Sequence, residues 1–324
     1  MELLTRKTVR ELHCMAAMPT VFAGNGLPKK APIDWEQQGV LIDFLINQCH
    51  NDAIVVAGTT GEPATMSNVE QILYIGWAIE QVNGRVPVIA GTGANSTVEA
   101  LELTQNAMKA GANGVLLIKP YYNNPTPAGL LAHFRAIAEL GFPFISYSVS
   151  YRTGGGPIPI DVIAELAKEF PHFIGHKEAE GSPNRFIVLR QQCPDDFVIW
   201  TGNDSDTALM MAEGNCNGVI SVASCITDQV KAMVDLFVAA KGQTTSSMAN
   251  GFTIYHQLKT LFGPKGLFIE TNPLGVKTAL ALMGVIKRAC FRLPLVPMQP
   301  ENVATLRQLL ADLKLIPNQT ITEE

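Results

Sequence analysis

"AIVVAGTTGEPATMSNVEQ", residues 53–71, carries in one line the unit from which the fold is read. Ala53 to Val56 run without a polar interruption, the mark of a strand buried on both faces. The glycine-rich "GTTGE" at 58–62 breaks the run. Ser67, followed three residues on by Glu70, then gives the S-x-x-E box in which each side chain meets a backbone N–H left open at a helix start. Buried strand, turn and capped helix form the repeating unit of a parallel sheet covered by helices.

The same unit recurs. "CMAAMPTV", "VPVIAG", "GVLLIKP", "FPFISYS", "FIGHKE", "FVIWTG" and "GVISVAS" bring the apolar runs to eight. Ser96 with Glu99 repeats the capping box, and Ser182 precedes Pro183 at a first helical position. Eight such units predict a closed (β/α)8 TIM barrel over residues 1–241. The remainder, 242–324, has helical signals without strands and is expected to be a C-terminal helical extension. An open dinucleotide-binding sheet loses support because "AGTGANS" has Ser96 where the third glycine of G-x-G-x-x-G belongs.

Composition narrows the function. With 47% hydrophobic and 16% charged residues among 324, the chain can bury a large core. A net charge of -5 with no long basic run argues against nucleic acid or an anionic membrane surface, and for small molecules or protein partners. No apolar stretch reaches the roughly 20 residues of a membrane span, and Arg6, Lys7, Arg10 and Glu11 break up the start, so a soluble cytoplasmic chain is expected. Six cysteines without a C-x-x-C pair suit a reducing compartment. The histidines show no metal-binding spacing, which disfavours a metal-dependent aldolase; no metal and no cofactor are expected.

In such a barrel the site is built at the C-terminal strand ends. Thr59 and Thr60 end the second run, Pro120, Tyr121 and Tyr122 the fourth, Tyr147 the fifth and Lys177 the sixth. Alternation puts Phe173, Gly175 and Lys177 on one face and Ile174, His176 and Glu178 on the other. A lysine buried without a fixed counter-charge loses basicity and becomes a neutral amine, the form that attacks a carbonyl; an ion pair with Glu178 is the plain structural reading. The "GTTGE" turn suits a small anion through its backbone N–H groups and threonine hydroxyls, and Arg152 in "YRTGGG" could clamp a carboxylate.

These residues together resemble the pyruvate-dependent Schiff-base aldolases, the dihydrodipicolinate synthase and N-acetylneuraminate lyase family. "GTTGE", "AGTGAN", "PYYN", "RTG", "KEA", "GVISV", Asn272-Pro273 and "RLPLVP" fall in family order across nearly the whole chain. The resemblance implies a barrel with a C-terminal helical region, assembled as a homotetramer (a dimer of dimers) or a homodimer. It gives Lys177 as the Schiff-base lysine, Tyr147 as the proton shuttle, Thr59 as the hydroxyl linking Tyr147 to Tyr122, and Tyr122 as a residue reaching into the neighbouring subunit's site. Thr60 resembles the holder of the pyruvate carboxylate, and Ile220 a residue whose backbone carbonyl lines the pocket.

"GTTGE" and Arg152 resemble the synthase branch, which condenses pyruvate with L-aspartate semialdehyde in lysine and diaminopimelate biosynthesis. Ser148, Ser150, His176 and Glu180 depart from that branch's usual residues. They leave open a 2-keto-3-deoxy sugar acid aldolase or dehydratase, or a neuraminate lyase-like enzyme, using the same lysine. A non-catalytic keto-acid-binding or scaffold member is the reading from another class. Regulated synthases bind L-lysine at positions that correspond to Pro63, Ala64, Asn68, Gln71, Asn95, Glu99 and Tyr121. The substitutions at Pro63, Asn68 and Gln71 imply weak or absent feedback.

Overall fold

The computed structural model describes residues 2–24, 31–240 and 245–317. Eight strands close into one parallel barrel in sequence order: β1 (Cys14–Ala17), β2 (Ala53–Val56), β3 (Val88–Gly91), β4 (Gly114–Ile118), β5 (Phe144–Ser148), β6 (Phe173–Glu178), β7 (Val198–Thr201) and β8 (Gly218–Ser221). Closure comes from β1, which pairs with both β2 and β8. Nearly every strand residue is buried, as continuous apolar runs require when side chains fill the barrel on one face and meet helices on the other.

The helices start where local chemistry dictates. Ahead of α1 (Trp35–Asn47), Asp34 accepts from the Gln37 N–H. Ser67 and Ser96 do the same for Glu70 and Glu99 at α2 (Asn68–Val82) and α3 (Thr97–Ala110). Thr126 caps α4 (Pro127–Ala138), whose first residue is a proline that has no N–H to satisfy. Between β5 and β6 lie the short α5 (Ser150–Thr153) and α6 (Ile160–Glu169). Then follow α7 (Pro183–Gln192), α8 (Asp204–Ala212) and α9 (Gln229–Ala240). Ser182 makes no side-chain cap, so Pro183 alone marks that start.

Three further helices continue the chain: α10 (Thr245–Leu258), α11 (Leu274–Leu282) and α12 (Pro300–Asp312). The expected boundary at 241/242 lies outside the described residues. The later helices pack in sequence: α10 lies on α9 and α8, and α12 on α11. Ion pairs tie this region back to the barrel, one of them the exposed contact of Lys287 with Glu36 on α1. Lys277 Nζ meets Glu62 Oε1 at 2.6 Å with both side chains buried, and Arg292 Nη2 meets Glu70 Oε1 at 2.6 Å. Phe22 and Phe291 flank the Lys277 ammonium at 4.6 and 4.7 Å, a cation–π setting that helps a buried charge.

The strict alternation expected along the sixth strand is interrupted. Phe144 pairs with Phe173 but Ile145 pairs with Gly175, so β6 carries one extra residue at Ile174. Beyond that irregularity the register is regular: Tyr147 opposes Lys177, and Lys177 opposes Trp200.

Candidate active site

Lys177 is 6% exposed at the C-terminal end of β6. It takes part in no salt bridge among the described residues; Glu178 instead faces His176 and Arg185. Burial lowers the Lys177 ammonium to about 8, with the Arg152 charge adding to the fall and Asp204 opposing it. Its Nζ lies over the Tyr147 ring, 4.4 Å from the centroid.

Tyr147 is likewise buried, and burial raises its phenol above the ordinary value while a hydrogen bond with Thr59 pulls the other way. A phenol kept protonated beside an amine whose basicity burial has lowered can hand a proton over and take it back. Thr59 begins the turn after β2, where Glu62 adopts a left-handed φ of 58° and Thr60 is buried. Asn272, from the C-terminal region, donates Nδ2–H to Thr60 Oγ1 at 3.0 Å and accepts on its backbone oxygen from Arg152 Nη2 at 3.0 Å. One residue beyond the barrel helices thus joins the turn and the arginine.

Thr59, Tyr147, Arg152 and Asn272 line one cavity of about 520 Å³. Pro63, Ala64, Asn68, Gln71, Glu99 and Tyr121 line the same cavity. Lys177 and Thr60 are not among its lining residues; each reaches it through a neighbour, Tyr147 and Asn272 respectively. Ile220, paired with Met15, is buried in β8 and is not among the cavity's lining residues. Tyr122 does not join the cluster: at φ 70° it turns outward and is 92% exposed. Asn95 does not line the cavity either; its oxygen accepts from Asn123 Nδ2.

Residues that sequence reasoning did not single out complete the surroundings. Asp204, at the start of α8, is buried and accepts from Ser221 Oγ and the Ala223 N–H, placing a carboxylate whose field reaches Lys177. Its position just after the seventh run, in "WTGND", is the strand-end signal that pointed to the other residues. Lys119, at the end of β4, is buried against the "GGG" segment after Arg152.

A model of the dihydrodipicolinate synthetase family matches residues 13–313. The 4-hydroxy-tetrahydrodipicolinate synthase of Persephonella marina is 43% identical over 290 residues, 89% of this chain and 95% of that protein. That of Bacillus subtilis is 38% identical over 285 residues, 88% and 94% of the two chains. The crystal structure of dihydrodipicolinate synthase from Aquifex aeolicus superposes with a TM-score of 0.87 at 36% identity, covering 95% of this chain and 100% of that one.

Proposed function

Since the chain belongs to the dihydrodipicolinate synthetase family, we propose that its site works as the strand-end cluster around Lys177 suggests. The protein is a lyase of the 4-hydroxy-tetrahydrodipicolinate synthase type, joining pyruvate to aspartate semialdehyde. Lys177 is its Schiff-base residue. The observation that carries this is a buried lysine lowered to about 8, free of any salt bridge among the described residues, against the Tyr147 ring.

Neutral Lys177 adds to the keto carbon of pyruvate, and loss of water gives the imine. Removal of a methyl proton leaves an enamine, which attacks the aldehyde carbon; hydrolysis then frees the amine. Tyr147, held by Thr59, moves protons at the amine and at the new hydroxyl. The Thr60 turn holds the pyruvate carboxylate, with the Ile220 backbone on the pocket wall. Arg152 meets the carboxylate of the semialdehyde, as a planar cation suits a planar anion.

Tyr122 completes the site of a second subunit, in a homodimer or a dimer of dimers. Its exposure supports this, as do the exposed apolar side chains of Val69, Leu73 and Val98 on neighbouring α2 and α3. Among the described residues no helix is long and apolar enough to cross a membrane, in keeping with a cytoplasmic enzyme.

A substrate panel tests the reading. Pyruvate with aspartate semialdehyde should be turned over, and Arg152→Ala should cut kcat/KM by the equivalent of about 2–4 kcal/mol, a charge-assisted hydrogen bond plus positioning. Inertness to aspartate semialdehyde with cleavage of a 2-keto-3-deoxy sugar acid would overturn it.

A further inference from the structure

The turn that carries Arg152 has no cap of its own. Val149 precedes α5 and offers no side-chain acceptor, and Ser150 Oγ finds no partner. A helix start needs acceptors for its open N–H groups. The Ser150 N–H is met instead by Glu180 Oε1 at 2.7 Å, from the segment just past β6. Glu180 is itself anchored, because its backbone N–H donates to Glu178 Oε1 at 3.0 Å. Glu178 in turn meets His176 Nε2 at 3.3 Å and Arg185 Nη2 at 2.8 Å, so the support runs back into the strand of Lys177.

The other end of the turn is held by a cation. Gly154, Gly155 and Gly156 have φ of 72°, 60° and 77°, a conformation glycine adopts without strain and other residues resist. Their three carbonyls converge on Lys119 Nζ at 3.1, 3.2 and 2.7 Å. Lys119 is 1% exposed and takes part in no salt bridge among the described residues. An ammonium has three donors, and here each has a carbonyl, which offsets the cost of its burial. A carboxylate at the first residue and an ammonium at the last three thus bracket the arginine.

We propose that Glu180 and Lys119 are positioning residues, fixing the Arg152 turn from its two ends and so setting how well the site takes a carboxylate-bearing aldehyde. This rests on the reading of Arg152 given above. Neither residue bonds to the guanidinium; they fix the backbone from which it projects. A small displacement of such a group weakens its hold on substrate out of proportion to the distance moved.

Steady-state kinetics with both substrates tests this in Glu180→Ala, Glu180→Gln, Lys119→Met, Arg152→Ala and the Arg152→Ala/Glu180→Ala double variant. Glu180→Ala should raise KM for aspartate semialdehyde about tenfold, as loss of one charge-assisted hydrogen bond allows, with KM for pyruvate within about twofold. Glu180→Gln, whose amide oxygen still accepts, should recover most of the loss. Lys119→Met should act in the same direction. In the Arg152→Ala background, Glu180→Ala should add less than about twofold, because its effect runs through the arginine.

Four results overturn the proposal in different ways. If Glu180→Ala leaves the semialdehyde KM unchanged while Arg152→Ala raises it, the bracket is wrong and the role of Arg152 stands. An equal rise for pyruvate, or an undiminished loss in the Arg152→Ala background, makes Glu180 a support of the whole site. If Arg152→Ala itself has no effect, both readings fall.

Discussion

Lys177 and Tyr147 are register partners across β5 and β6, and the lysine Nζ sits 4.4 Å from the centroid of the tyrosine ring. Side chains of paired residues in neighbouring strands stand on the same face. The closeness of amine and phenol is therefore set by the barrel's hydrogen bonds rather than by a mobile loop.

The rate of imine formation should rise with pH through about 8. The folded-state value of Lys177 is lowered by burial, so the attacking neutral form is a minority below about 8 and the majority above it. Stopped-flow measurement of pyruvate addition from about pH 6 to about 9.5 checks this; a profile flat across that range would contradict it.

Asp204→Asn should move that profile to lower pH. The Asp204 carboxylate raises Lys177 against the larger effect of burial, so removing its charge leaves the lysine less basic still. The Asn side chain keeps an oxygen for the Ser221 hydroxyl or the Ala223 N–H, which limits the loss of structure. An unmoved or upward-moved profile would show that the carboxylate does not act on the amine.

Breaking the Glu62–Lys277 pair on one side only should destabilise the protein by about 3–5 kcal/mol, because it strands a buried charge. Lys277→Met and Glu62→Gln together should cost clearly less than the sum of the two single changes. Urea unfolding of all three variants measures this, and strict additivity would mean that the two side chains are not coupled.

Feedback by L-lysine should be weak or absent. Asn68, Gln71 and Pro63 line the cavity together with Glu99 and Tyr121, and the Gln71 amide is already engaged by the Gly91 carbonyl at 2.9 Å. Of the two carboxylates that line the cavity, Glu62 is paired with Lys277, which leaves Glu99 to hold an amine; each neutral hydrogen bond that an inhibitor cannot make here weakens its binding by about 1 kcal/mol. Half-inhibition well below millimolar L-lysine would contradict this.

How much of this is legible in the sequence depends on the range of the interactions. The barrel is readable because each βα unit is local: four apolar residues, a turn and a cap lie within about twenty positions of one another. Lys177, Tyr147 and Thr59 are readable because each closes such a run, and Arg152 because it lies just past one. Asp204 carries the same signal, but its carboxylate looks like that of an ordinary helix-start residue.

The bulge at Ile174 is not readable, since it exists only in the pairing of β6 with β5. Asn272 joins Thr60 to Arg152 across 212 and 120 residues of sequence, a closure no local pattern announces. Lys119 looks like any strand-end lysine. Its burial becomes meaningful only through the three glycine carbonyls that surround it.

The most direct test of the account is covalent trapping. Wild-type protein incubated with pyruvate and borohydride should gain the mass of one reduced pyruvyl group per chain, carried by the peptide that contains Lys177, and Lys177→Met should gain none. Modification at Lys119 or elsewhere in place of Lys177, or no modification at all, would contradict the claim that Lys177 is the amine that forms the imine.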